Sequence, residues 1–145
     1  MDYYSEDSFL PFENIGFALG KARNLLQSEM DVALVGTGIT SSHVGALLLL
    51  ARGVARTPVG LSKLLAVDAG FVTRVVDRLE KEGLVRRARN SPDRRVVNLT
   101  VTEAGRKAAA RVAEIAPAVL NRRLSNFSPL EFYTLCRLLS KLLVK

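Results

Sequence analysis

Among its 145 residues the chain has one cysteine, Cys136, and one histidine, His43. A single thiol excludes an internal disulfide, and the two residues together leave too few soft ligands for a structural zinc site. Long apolar runs are missing as well. The longest candidate, residues 44–50, is cut off by Arg52, well short of the roughly 20 residues that span a bilayer. The opening MDYYSED is acidic where a secretory signal would be basic. A soluble, cytoplasmic protein is expected, with no membrane partner. Enzyme signatures are also lacking: there is no Gly-rich phosphate loop, and the sole histidine and sole cysteine fall in different predicted helices with no orienting partner in view. No catalytic residue, cofactor or metal is expected.

What is present is a core and an uneven charge. Apolar residues make up 48% of the chain and charged residues 24%, which excludes a disordered tail and suits one folded domain. The net charge of +7 is concentrated: residues 1–50 carry −4, residues 56–107 carry +6 and residues 108–145 carry +4. A concentrated positive field favours a polyanion, with nucleic acid ahead of a membrane surface.

Helical periodicity covers most of the chain. Phe12, Ile15, Leu19, Ala22, Leu26 and Met30 recur in steps of three and four, predicting a first helix over 9–30 that Gly16 and Gly20 weaken. After the Gly36-Thr37-Gly38 break, Thr40 or Ser41 is placed to cap a second helix over the apolar 44–51, which belongs in the interior. Pro58 opens a short third helix through Leu61, Leu64 and Leu65. Val67-Asp68 makes a turn, and Asp68 caps a fourth helix. Its Val72, Val75, Val76 and Leu79 face inward while Thr73, Arg74, Asp77 and Arg78 face out, and Gly83 ends it.

Two stretches, 84–89 and the valine-rich 95–101, flank Asn90-Ser91-Pro92-Asp93 and read as a small antiparallel hairpin. Five arginines fall within the ten residues 86–95. Thr102 caps a long helix running to about Leu124 that Pro117 is expected to kink or interrupt. Ser128-Pro129-Leu130-Glu131 combines a capping box with proline at the first helical position, predicting a last helix through Phe132, Leu135, Leu138 and Leu142. No internal repeat or low-complexity segment is evident.

Two short helices joined by a tight turn and followed by a hairpin is the order of a winged helix-turn-helix. The fold class expected is therefore mainly α with a small β-hairpin wing, flanked by helices at both ends. Gly70 lets the start of the fourth helix approach a groove floor, with Ser62, Ala69, Phe71, Thr73, Arg74 and Arg78 as further DNA-contact candidates. Arginine on such a face either grips guanine edges or clamps phosphate, and the sequence does not distinguish the two. The basic hairpin is suited to a minor groove.

These residues carry a family resemblance. LSKLLAVD at 61–68, VTRVVDRLEKEGLV at 72–85, DRR at 93–95 and TEAG at 102–105 together resemble the MarR family of bacterial transcriptional regulators. The resemblance implies a homodimer whose first and last two helices interlock, with 1–35 and 103–145 as dimerisation helices and 40–102 as the winged lobe. It implies that the helix over 69–81 enters the major groove of a pseudo-palindromic operator, that Arg95 enters the minor groove with Asp93 holding its guanidinium, and that Arg94 meets the DNA backbone. The expected function is a sequence-specific regulator, by family habit a repressor. The competing expectation is a non-specific architectural DNA binder without a ligand switch.

Dimerisation is also expected from the residues themselves. Phe12, Ile15 and Leu19 on the first helix, and Phe132, Leu135, Leu139 and Leu142 on the last, exceed what one small lobe can cover. The resemblance further implies a small aromatic or lipophilic anionic effector at the junction of dimer helices and lobe. His43, Arg87 and Thr73 are the candidates there, although local hydrogen bonds would account for His43 and a salt bridge for Arg87. Cys136, beside Leu135 and Leu138, is expected to be buried, inert packing rather than a redox sensor. The absence of tryptophan argues against the urate-responsive branch.

Overall fold

A computed structural model describes residues 1–88, 92–93 and 95–144. Of the wing positions named above, Arg89, Asn90, Ser91 and Arg94 therefore lie outside the described residues. The element order is α1 (Ile15–Ala33), α2 (Ser41–Ala51), α3 (Pro58–Leu65), α4 (Ala69–Lys81), β1 (Val85–Ala88), β2 (Asn98–Val101), α5 (Glu103–Arg123) and α6 (Pro129–Leu143).

The helices start where the sequence supplies a polar cap. Thr57, Asp68, Thr102 and Ser128 each accept a hydrogen bond from a backbone N–H in the first turn of α3, α4, α5 and α6, satisfying donors that have no intrahelical partner. The capping box at Ser128 and Glu131 forms in full. At α2 the expectation is corrected. Thr40 occupies the N-cap without making a cap hydrogen bond, and the free Ser41 N–H instead donates to Asp31 Oδ1 of α1 at 2.6 Å. The cap of α2 thus doubles as a tie to α1.

The core takes in Leu61 and the inward face of α4 that periodicity marked, but not Leu64, which is exposed, and adds Leu34, Val85 and Val112. Leu34, Leu47, Leu61, Val72, Val76, Leu79, Val85 and Val112 are essentially inaccessible to solvent, joining α2, α3, α4, β1 and α5 in one apolar cluster. Between α3 and α4 the chain reverses through Ala66, the one described non-glycine residue with positive φ (52°). An L-residue in that region costs about 1 to 2 kcal/mol. The turn holds it there with Val67 N–H donating to the Ser62 carbonyl at 3.1 Å and Ser62 Oγ donating to the Val67 carbonyl at 2.6 Å.

β1 and β2 pair antiparallel, Val85 opposite Val101 and Ala88 opposite Asn98. Leu99 N–H also donates to the Arg56 carbonyl at 2.8 Å, stitching the hairpin to the segment before α3. Both strands are shorter than the 84–89 and 95–101 expected. Residues 92–93 and 95–97 lie in bends, a turn and irregular chain, and the Val96 N–H is drawn back to the Asp93 carbonyl at 3.1 Å.

Three further expectations change. The first helix begins at Ile15, capped by Asn14, so Phe12 precedes it rather than lying on it. Pro117 does not interrupt α5, which runs through it. Cys136 is exposed, not buried, because α6 buries no residue at all in the single chain.

Candidate nucleic-acid interface

Residues of α4 and the hairpin supply most of the cations nominated for DNA. On α4, Thr73 and Arg74 are exposed; Thr73 Oγ1 donates to the Ala69 carbonyl at 2.9 Å, leaving its oxygen lone pairs as acceptors. Gly70 keeps the N-terminal end of α4 low, since a Cβ there would sit 3.0 Å from Asp68 Oδ1 and 3.5 Å from Arg74 Nη1. The Arg74 guanidinium therefore lies back toward the start of the helix. Arg78 is partly engaged, pairing with Glu82 at 3.1 Å.

Among the described residues, Arg74, Arg86 and Arg95 are exposed and form no ion pair; the six pairs present involve Arg78, Arg87, Arg106, Arg111 and Arg123. Their charge is uncompensated and directed at solvent. Asp93 does meet Arg95, but the bond between them runs from the Arg95 backbone N–H to Asp93 Oδ1 at 2.9 Å. It fixes the path of the chain at Arg95 and not the guanidinium expected. Ser62 has its hydroxyl committed to the turn and is only partly accessible. Phe71 is half-buried against the core, while its N–H is taken by Asp68 at 2.8 Å.

The effector candidates separate. The His43 Nδ1 lies 2.9 Å from Thr40 Oγ1, and burial, then the nearby Arg78 charge, holds the imidazole below its ordinary value against smaller opposing effects of Asp31 and Glu82. Arg87 is engaged within the protein. Its guanidinium is bound by Asp77 at 2.5 Å and Glu80 at 2.8 Å, both on α4. Hydrogen bonds from the Arg87 backbone and then its side chain hold Glu80 below the usual carboxylate range.

Where α1 meets the lobe there is instead a cavity of about 420 Å³ lined by Arg23, Gln27, Ser42, Ala66, Val67 and Phe71 among others. Neither His43, Arg87 nor Thr73 lines it. Sequence reasoning missed Arg23 and Gln27 because the first helix was assigned wholly to dimerisation, and its outward polar positions carried no motif.

Among the described residues no helix is long and apolar enough to cross a membrane, and no group of three or more His, Cys, Asp or Glu side chains is placed to hold a metal ion.

Comparison with known proteins gives a consistent result. Residues 37–96 match the MarR family. The chain is 34% identical over 106 residues to the multiple antibiotic resistance protein MarR of Escherichia coli, covering 72% of this chain and 74% of that one. It is 27% identical over 117 residues to the HTH-type transcriptional repressor MdtR of Bacillus subtilis, covering 81% and 76%. Among solved structures, the reduced form of E. coli MarR superimposes with a TM-score of 0.75 at 27% identity, over 90% of this chain and 97% of that chain. Two structures below 25% identity share the fold. One is the MepR–DNA complex of S. aureus, with a TM-score of 0.81 at 20% identity over 90% of this chain and 96% of that one. The other is Bordetella bronchiseptica BpsR, whose DNA binding is regulated by 6-hydroxynicotinic acid, with a TM-score of 0.81 at 22% identity over 92% and 96%.

Proposed function

The chain belongs to the MarR family of transcriptional regulators, and from that premise we propose that it is a sequence-specific repressor. It acts as a homodimer on a pseudo-palindromic operator and is released by a small anionic ligand. The observation that carries the DNA-reading part is the set of three exposed guanidinium groups that have no carboxylate partner among the described residues, Arg74 on α4 and Arg86 and Arg95 on the wing. In this reading α4 lies in the major groove with Ala69, Gly70, Thr73 and Arg74 nearest the bases. Arg95 takes the flanking minor groove and Arg78 a backbone phosphate. Two lobes, 40–102 of each protomer, are held apart by the helices of 1–35 and 103–145 at one helical turn of duplex, roughly 34 Å, or a multiple of it.

The cavity behind the α3–α4 turn supports the effector part. Arg23 supplies one cation, Ser42 and Gln27 supply hydrogen bonds, and Val67 and Phe71 an apolar wall, a lining suited to a small aromatic or lipophilic anion. A ligand wedged between α1 and the turn shifts the spacing of the two α4 helices only if it prefers one spacing to the other. That the DNA binding of BpsR, on the same fold, is regulated by 6-hydroxynicotinic acid supports control by a small molecule.

The test is competition at fixed salt. Duplexes selected by the protein from a random pool should yield one short palindrome, bound about 10³-fold or more tighter than a scrambled duplex. Equal affinity for both would favour an architectural, non-specific binder.

A further inference from the structure

Arg87 is an arginine of β1 that the DNA-reading proposal does not use. It sits in β1 opposite Leu99, and its side chain is 30% exposed. Its Nη2 donates to Asp77 Oδ1 at 2.5 Å, its Nη1 to Glu80 Oε1 at 2.8 Å, and its backbone N–H to Glu80 Oε2 at 3.0 Å. Asp77 and Glu80 stand one turn apart on α4, so a single residue of the wing is clamped to the outward side of the helix that enters the groove. Arg87 therefore has two guanidinium nitrogens and its main-chain donor committed within the protein.

Two features make this more than a surface ion pair. Isolated exposed pairs contribute little, but here one guanidinium grips two carboxylates while the strand backbone itself donates to one of them, which fixes direction as well as distance. The acids are also electrostatically out of place, because a carboxylate on a helix that approaches phosphate repels it. Their presence on α4 is explained if they serve the wing and not the DNA.

We propose that Asp77, Glu80 and Arg87 form a latch that sets the angle of the wing relative to α4, so that Arg95 reaches its groove while Arg74 occupies the neighbouring one. Arg87 is then a positioning residue rather than a ligand for phosphate or effector. The inference rests on the regulator reading above. It makes a prediction whose sign is opposite to simple electrostatics: removing the two acids makes the face more positive, yet specific binding falls.

The experiment titrates wild type, Asp77→Ala/Glu80→Ala, Arg95→Ala and the combination of all three substitutions at fixed salt. The probes are the duplex selected by the wild-type protein from a random pool and a scrambled duplex of equal length. Alanine keeps the helix propensity of α4, and binding to the scrambled duplex reports that each variant is folded. The Asp77→Ala/Glu80→Ala variant is expected to bind the selected duplex about tenfold or more weakly, as for loss of a contact of the Arg95 kind, while holding or gaining affinity for the scrambled one. In the Arg95→Ala background the same two substitutions should cause no further loss, because the latch acts through that arginine. Tighter binding of the Asp77→Ala/Glu80→Ala variant to both duplexes, unchanged preference, or fully additive losses would overturn the latch alone. A wild type that selects no palindrome would overturn the regulator reading and the latch with it.

Discussion

His43 illustrates how a single side chain acquires a pH signature from its surroundings. It lies at the start of α2 with Nδ1 against Thr40 Oγ1, half-buried, and burial lowers its affinity for a proton below the ordinary value of 6.5. Above that value the imidazole is neutral in both folded and unfolded chains and contributes no pH dependence. As pH falls below it, the unfolded chain takes up the proton first, so unfolding is favoured, and the stability lost is complete once the folded-state value is passed. Urea unfolding midpoints measured between about pH 5 and 8 should fall on the acid side for wild type. A His43→Gln variant should lack that component, and parallel curves for the two proteins would assign the acid sensitivity elsewhere. Aspartate 31 belongs to the same neighbourhood. It closes the N-terminus of α2 from α1, a partnership across ten positions that no local capping rule contains, which is why the sequence pointed to Thr40 or Ser41 instead.

At the scale of elements, the junction between wing and α5 is fixed by one small residue. Thr102 donates its backbone N–H to the Leu84 carbonyl at 3.0 Å and its Oγ1 to the Gly83 carbonyl at 2.6 Å, and accepts from Gly105 N–H at 3.0 Å. This presses the first turn of α5 onto the chain leaving α4. A Cβ at Gly105 would meet the Leu84 carbonyl oxygen at 2.0 Å, a backbone atom that cannot swing aside, and the Val101 side chain at Cγ1 at 2.7 Å. Gly105→Ala should therefore destabilise by about 2 kcal/mol or more, despite alanine being the better helix former, and thermal melts beside Gly20→Ala, where the space is open, would measure it. An unchanged melting temperature would mean that α5 seats differently.

Much of this architecture was legible beforehand because it is locally encoded. The caps at Asp68, Thr102 and Ser128, the inward valines of α4 and the glycine after it all follow from spacing and side-chain chemistry. What was illegible depends on tertiary partners. Pro117 reads as a break, yet α5 passes through it, its neighbours Val112 and Val119 anchored in the core. The Arg87 clamp needs the strand to lie against α4 before its three residues have any relation. The cavity at Arg23 exists only once α1 crosses the turn.

At the scale of the whole molecule, the single chain leaves apolar surface bare that the proposed second copy would cover. Phe12 (76%), Ile15 (56%), Leu130 (76%), Leu142 (59%) and Leu143 (80%) are all exposed, and no residue of α6 is fully buried by its own chain. Leu135 and Leu139 are half-covered and Leu19 and Phe132 only slightly more open, so both the last helix and α1 carry apolar side chains that their own chain does not enclose. Monomers rarely leave such patches bare, and a self-complementary surface closes most simply with two-fold symmetry. Light scattering at micromolar concentration should accordingly report about twice the 15.8 kDa of one chain. Leu142→Glu places a charge on that exposed apolar face of α6, away from the lobe, and should drive the proposed dimer toward monomer. DNA then separates assembly from reading: the monomeric variant should lose most of its affinity for a full palindrome, because two linked half-sites bind far more tightly than either alone, while its affinity for an isolated half-site stays near that of one wild-type lobe. A monomeric wild type, or a Leu142→Glu monomer that retains full palindrome affinity, would remove the shared scaffold from the account of how this chain reads DNA.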